Sequence, residues 1–357
     1  MTDLELLRQQ FPEVSFTTNE PLKKYTTVGI GGPAELFCRI NATDLLTQVC
    51  SFAHEHKIPV TLLGWGANTL IADRGIAGLV IKNESKDIKV HTEKSEMPMH
   101  KQPEVTARWA TQKDVGSFKY DFSDLELTEP AEERVLVTMD SGVSLPMAIN
   151  VLIAQGITGL QWYSRIPATI GGAIYNNIHG GTHFISEVLH SVTILTADNQ
   201  IQTLPVNQLA LGYDTSRFHT TSEIILTATF ALYKGDSEAA RAIASEWAAR
   251  KKIQPQNSLG CVFQNISAEE QKRLGFHTPS IGYIIEHVLK LQGYTVGGAH
   301  ISDQHAAFIE NTGTATATDY LAVIKKIKDA ARTELQLELT PEIFFMGFTP
   351  AELNGIV

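Results

Sequence analysis

Ile58-Pro59-Val60-Thr61-Leu62-Leu63-Gly64-Trp65-Gly66-Ala67-Asn68-Thr69 runs from a short apolar, strand-like stretch into a loop of small residues. A second apolar run, Gly78-Leu79-Val80-Ile81-Lys82, follows it. Upstream, residues 44–56 put Leu45, Leu46, Val49, Phe52 and Ala53 on one helical face, with Thr43 placed to cap it. Helix, strand, tight loop, strand is the order of a small mixed unit of helices and strands. The successive small residues of Gly64 to Thr69 allow several backbone N–H groups to converge on an anion such as a pyrophosphate. A plain hairpin loop accounts for the same residues equally well.

A similar loop recurs at Ile166-Pro167-Ala168-Thr169-Ile170-Gly171-Gly172-Ala173. Its proline stiffens the backbone and its glycine pair permits close approach of a ligand. Two such loops point to a ligand held from two sides, and a dinucleotide is long enough to need both. Gly29-Ile30-Gly31-Gly32-Pro33-Ala34 formally fits the G-x-G-x-x-A fingerprint. No long strand precedes it, Pro33 interrupts it, and the residues after it read as strand rather than helix. It is expected to be a tight turn needing positive φ.

The chain has 357 residues, enough for two or three domains. Lys+Arg is 29 and Asp+Glu is 39, so the net charge is 29 − 39 = −10. That balance argues against a nucleic-acid partner or an anionic membrane surface, which need a basic face. It leaves room for a small anionic substrate held by local dipoles and cations. Cys38, Cys50 and Cys261 form no CxxC pair, as expected in a reducing compartment. With no signal-peptide pattern at the N-terminus and no apolar run near the roughly 18 residues of a span, a soluble cytoplasmic protein is expected.

Further along, residues 84–133 carry seven Lys/Arg and twelve Asp/Glu, with only 15 of the 50 residues apolar. An acidic, solvated insertion, such as a hairpin on the surface, is expected there. Residues 134–138 resume strand character, 144–156 read as a helix stopped by Gly156, and 188–233 hold short strands between turns. The Ala-rich helix expected at 237–252, stopped by Pro255, marks the best domain boundary. A last helix is expected over 316–335, with Thr316 and Asp319 as a capping box.

Two single residues stand out. Cys261 follows Gly260 and precedes Val262-Phe263-Gln264-Asn265; it is either an inert small hydrophobe or a positioned thiol. No basic neighbour in sequence lowers its pKa, so the protonated thiol is the expected form. Glu342, ahead of the apolar run Ile343-Phe344-Phe345-Met346, is either a solvent residue on an edge strand or a partly buried acid with a raised pKa. The histidines show no metal-ligand spacing, and Walker A and G-x-S-x-G patterns are absent.

Seven blocks, taken in order, resemble the UDP-N-acetylenolpyruvoylglucosamine reductase family: PLKKYTTVGIGGPAELF, TLLGWGANTLIADRGIAGLVIK, GLQWYSRIPATIGGAIYNN, GYDTSRF, SLGCVFQN, GYTVGGAHISDQHAAFIENTGTATATD and LTPEIFFMG. The likeness covers most of the chain outside 84–133. It implies an α+β fold: a two-part FAD-binding module of the vanillyl-alcohol-oxidase type (1–82 and 134–236, around the acidic insertion 83–133) and a C-terminal α+β substrate-binding domain (237–357). It implies FAD as cofactor, NADPH as reductant and a UDP-sugar substrate, in peptidoglycan precursor synthesis.

The resemblance also assigns residues. Gly64, Trp65, Gly66, Ala67, Asn68 and Thr69, with Ile166, Pro167, Ala168, Thr169, Gly171, Gly172 and Ala173, match the flavin loops. Tyr25, Thr26 and Thr27 match a segment that also approaches the flavin. Cys261 stands where the family usually has a proton-donating serine, and a thiol is intrinsically the stronger acid. Glu342 matches the catalytic glutamate, while Tyr213 and Asn265 match substrate-side positions. Three positions depart from the pattern. Asp214 replaces an arginine that supports the substrate carboxylate, Phe344 replaces another arginine, and Asn177-Ile178-His179-Gly180-Gly181-Thr182 replaces N-A-G-A-Y-G. Arg217 or Arg165, in adjacent blocks, is expected to supply the missing charge. The competing readings are another flavin oxidoreductase on the same module, such as a small-alcohol or sugar oxidase, and a non-catalytic nucleotide-sugar binder.

Overall fold

Ala34, Leu36, Cys38 and Ile40 are buried along the strand Pro33–Ile40 while Glu35 and Arg39 face outward. One face of this strand therefore demands a cover. The computed structural model describes residues 3–94, 125, 127–130 and 134–357. In it, a four-stranded sheet runs in the order Thr17–Pro21, Pro33–Ile40, Ile76–Asn83, Val60–Leu63. The first pair is antiparallel and the others parallel. Parallel neighbours need a crossover, and the helix Thr43–Glu55 supplies it. Its Leu46, Val49, Cys50 and Ala53 pack on Leu36, Cys38, Leu79 and Ile81. Thr43 is the helix's first residue, not its cap; the cap position is Ala42, with no side-chain bond. Gly29 and Gly31 take positive φ in the turn before Pro33–Ile40.

The second sheet is antiparallel, in the order Ile201–Pro205, Leu189–Leu195, Ile224–Lys234, Arg134–Asp140, Ile88–Lys94. Here the expected start of the acidic insertion is corrected. Residues 88–94 form an edge strand, with Ile88 packed against the core and His91 Nε2 2.9 Å from Thr138 Oγ1. Leu125 and Leu127 also pack on this core, and Glu129 accepts hydrogen bonds from Thr158 Oγ1 at 2.6 Å and Gln161 Nε2 at 2.7 Å. The rest of the stretch lies outside the described residues. The helices Leu145–Ala154 and Ser237–Arg250 contribute Ile149, Leu152, Ala240 and Trp247 to the same core. Gly156 follows the first at φ 76°, and Asp236 caps the second.

The C-terminal region packs the helix Ala317–Leu335 on the strands Thr295–Val296, Ala299–Ile301 and Ile309–Asn311. Thr316 and Asp319 form the expected capping box. The same helix end is tied to the first region: Asp73 accepts from Ala317 N at 2.8 Å and Thr318 N at 3.0 Å. A second tie is the strand Phe344–Met346, which pairs in parallel with Thr69–Ile71 directly after the first glycine loop. Among the described residues no helix is long and apolar enough to cross a membrane.

Candidate active site

Residues 261–264 thread between two other C-terminal segments. Cys261 bridges Phe308, and Val262 donates its N–H to Ala307 O at 2.9 Å. Val262 O accepts from Glu342 N at 2.8 Å, and Gln264 N donates to Thr340 O at 3.0 Å. Beyond Glu342 the chain turns to the first region: Phe344 N donates to Asn68 O at 2.9 Å, and Asn68 Nδ2 to Glu342 O at 3.2 Å. Backbone pairing on both sides thus fixes Cys261 and Glu342 on the wall of one cavity of about 1230 Å³.

The two small-residue loops form other walls of that cavity. Gly66 sits at φ 59°, and a Cβ there would stand 2.2 Å from Tyr25 O. Lys82 donates its ammonium to Gly64 O, and burial lowers that lysine's pKa. In the second loop Thr169 caps the short helix Ile170–Tyr175, accepting from Gly172 N at 3.2 Å. The loops abut, since a Cβ on Gly64 would come within 2.9 Å of Thr169 Oγ1.

Of the expected cofactor-side residues, Thr27, Gly64 to Thr69, Ile166 to Thr169, Gly171 and Gly172 line the cavity. Three do not. Tyr25 stacks on Phe37 at 4.7 Å and donates to Glu20, Thr26 donates to Ile30 O at 2.8 Å, and Ala173 is buried in the core. Among the expected cations, Arg165 lines the cavity from an exposed position at φ 66°. Arg217 does not line it. Its guanidinium is engaged by Glu223 through two bonds of 2.9 and 2.7 Å and by Gln208 O at 3.0 Å. Tyr213 and Asn265 are hydrogen-bonded to each other beside the site.

The electrostatics centre on one cluster. Burial raises the Glu342 carboxyl well above the usual range, and the Asp214 carboxylate raises it further. Burial also raises the Cys261 thiol, followed by Glu342 and Asp214, while Lys251 acts in the opposite direction. The Tyr213 hydroxyl is raised by burial and by Asp214, Glu342 and Cys261. The Cys261 thiol therefore keeps its proton at neutral pH, its expected form, and Glu342 is shifted towards its protonated form, in line with the second of its two readings. Sequence reasoning missed Lys251. Its only local signal was a lysine just past the end of a helix whose next turns lead to Cys261.

Comparison with known proteins fits this arrangement. Curated UDP-N-acetylenolpyruvoylglucosamine reductases of Pediococcus pentosaceus and Listeria welshimeri are each 31% identical to this chain. The first aligns over 94% of this chain and 96% of its own length, the second over 96% and 98%. The chain belongs to this reductase family. The family's C-terminal-domain model matches residues 253–346, and a model described as an FAD binding domain matches 121–205. The crystal structure of the reductase from Thermus caldophilus superimposes with a TM-score of 0.65 at 24% identity, over 93% of this chain and 98% of that one, and shares its fold.

Two departures from the reductase family's pattern meet in space. His179, in the altered N-I-H-G-G-T stretch, has its Nε2 4.0 Å from Asp214 Oδ1. Burial lowers this histidine's pKa to about 4, so it is neutral in the reductase at neutral pH. Asp214 itself is buried, at φ 48°. The third departure, Phe344, packs edge-on against Tyr175 at 5.2 Å and His219 at 5.0 Å, so an aromatic cluster stands where the resemblance leads to the expectation of an arginine.

Proposed function

We infer that the chain catalyses the FAD-dependent, NADPH-driven reduction of UDP-N-acetylglucosamine enolpyruvate to UDP-N-acetylmuramate, in peptidoglycan precursor synthesis. The observation that carries this reading is the backbone ladder that delivers Cys261 and Glu342 to a cavity shared with both glycine loops. The close-set backbone of Gly64, Gly66 and Gly171 leaves no room for side chains, a cradle suited to the flavin and its pyrophosphate. We assign FAD to the two loops and Thr27. Held there, FAD would supply the hydride-transfer chemistry that links NADPH to C3 of the enolpyruvyl group.

The chain's own residues complete the reaction. Cys261 holds a proton on Sγ and gives it to C2 of the substrate. Glu342, protonated, donates a hydrogen bond to the substrate carboxylate as enolate charge develops. Tyr213 and Asn265 border the substrate, and Arg165 stands at the exposed rim. Three parts of the chain, 1–82, 134–236 and 237–357, each contribute to the site in this division. Free Cys38 and Cys50, both buried, suit a cytoplasmic enzyme.

An anaerobic absorbance trace tests the reading. One equivalent of NADPH is expected to bleach the bound flavin, and the enolpyruvyl UDP-sugar to restore its colour. Bleaching without restoration by the sugar would move the reading to an oxidase on the same module; no flavin uptake would leave only a binder. Gly66→Ala is expected to weaken FAD binding about tenfold, read by titrating apoprotein with FAD. The substitution combines a left-handed φ, costing about 1–2 kcal/mol, with the contact to Tyr25 O.

A further inference from the structure

Cys261 has a difficulty that the roles above do not resolve. Once its proton has gone to C2, a thiolate remains near Asp214, whose carboxylate opposes negative charge there. The site must offset that charge and return a proton before the next turnover. Among the described residues the lysines and arginines lining the cavity are Lys57, Arg165 and Lys251. Lys57 precedes the strand Val60–Leu63 in the first region, and Arg165 is exposed on the second loop. Lys251 lies on the turn Lys251–Ile253 that continues the helix Ser237–Arg250. Its Nζ stands 4.9 Å from the centre of the Trp247 ring, which fixes the ammonium one helical turn beyond the indole.

We propose that Lys251 is the counter-charge of the Cys261 thiolate and the group that reprotonates it. The inference rests on the reductase reading for the step that creates the thiolate. The balance is simple. The Sγ–H bond breaks and a C–H bond forms at C2, leaving S⁻. Lys251 then transfers a proton from –NH3⁺ to S⁻, restoring the thiol, and the resulting amine takes a proton from water. No electrons move in either proton transfer. Burial lowers the lysine's pKa to about 8, which brings it towards the range where it gives up a proton readily. The titratable groups that interact with the thiol are Glu342, Asp214, Tyr213 and Lys251; His179 interacts with the lysine.

The test measures the thiol before it measures turnover. In the FAD-loaded enzyme, the rate of Cys261 alkylation by iodoacetamide against pH reports the thiolate fraction. Cys38 and Cys50 are buried, with pKa values pushed up to about 12, and C261S provides the blank. Lys251→Met is expected to move the alkylation profile upward by about one pH unit, a tenfold loss of thiolate at a given pH. It is expected to slow sugar-dependent return of flavin colour about tenfold and to leave bleaching by NADPH unchanged. Lys251→Arg should keep the wild-type alkylation profile, because the charge remains, yet turn over slowly, because a guanidinium does not release its proton. An unchanged alkylation profile in Lys251→Met, with flavin bound normally, overturns the proposal. So does full turnover in Lys251→Arg. If wild type fails to recover colour with the sugar, the reductase reading falls instead, while the alkylation result still stands.

Discussion

Cys261→Ala is expected to bleach with NADPH at the wild-type rate and to recover colour with the enolpyruvyl UDP-sugar about 10²–10⁴ times more slowly. The range is that of a positioned general acid. The split between half-reactions follows from the structure. Cys261 reaches the cavity from the C-terminal region through its bridge to Phe308, whereas the glycine loops belong to the other two regions. Removing Sγ deletes a proton donor and leaves those loops untouched. Cys261→Ser should recover most of the rate, because the ladder at Val262 fixes the position of either side-chain oxygen or sulfur. Equal slowing of both half-reactions in Cys261→Ala would remove the acid role.

Glu342→Ala is expected to slow the same half-reaction about 10²–10³-fold, the usual loss for one hydrogen-bond donor at a developing oxyanion. Glu342→Gln keeps an N–H donor on nearly the same frame and should lose less. The pH dependence carries a sign. Burial and Asp214 raise the Glu342 pKa, so the donating, protonated form persists to higher pH than for an ordinary carboxyl and is lost as pH rises through that raised value. Activity should therefore fall on the alkaline side. Glutamine cannot ionise, so Glu342→Gln removes this carboxyl's share of the fall and leaves the share of Cys261. Because Glu342 and Cys261 act in the same half-reaction, only the variants divide the wild-type limb between them. A Glu342→Ala enzyme with unchanged sugar-dependent recovery would exclude the role.

The parts of this site that were legible in the sequence are those whose cause is local. Gly64, Gly66 and Gly171 announce themselves because a Cβ at each would crowd a neighbouring segment. The capping box at Thr316 and Asp319 and the stop at Gly156 are equally local. The charge pattern hid the strand Ile88–Lys94, because an edge strand with one solvated face tolerates lysine and glutamate. Arg217 was misplaced for a reason visible only in space: Glu223, six residues on, takes its guanidinium in a two-point bond. Asp214 and His179 read as separate losses and prove to be neighbours. Lys251 went unnoticed because ten residues separate it from Cys261, and only the helix end and the Trp247 ring bring its charge to the thiol's cavity.

On the ribosome, the strand Thr69–Ile71 emerges long before its parallel partner Phe344–Met346 has been made. No other described strand pairs with it, so the nascent chain carries an open edge beside its first glycine loop through most of translation. Contacts so distant in sequence form late and slowly. The cavity wall that carries Glu342 is thus completed only in the finished polypeptide, and a prematurely released one would lack it.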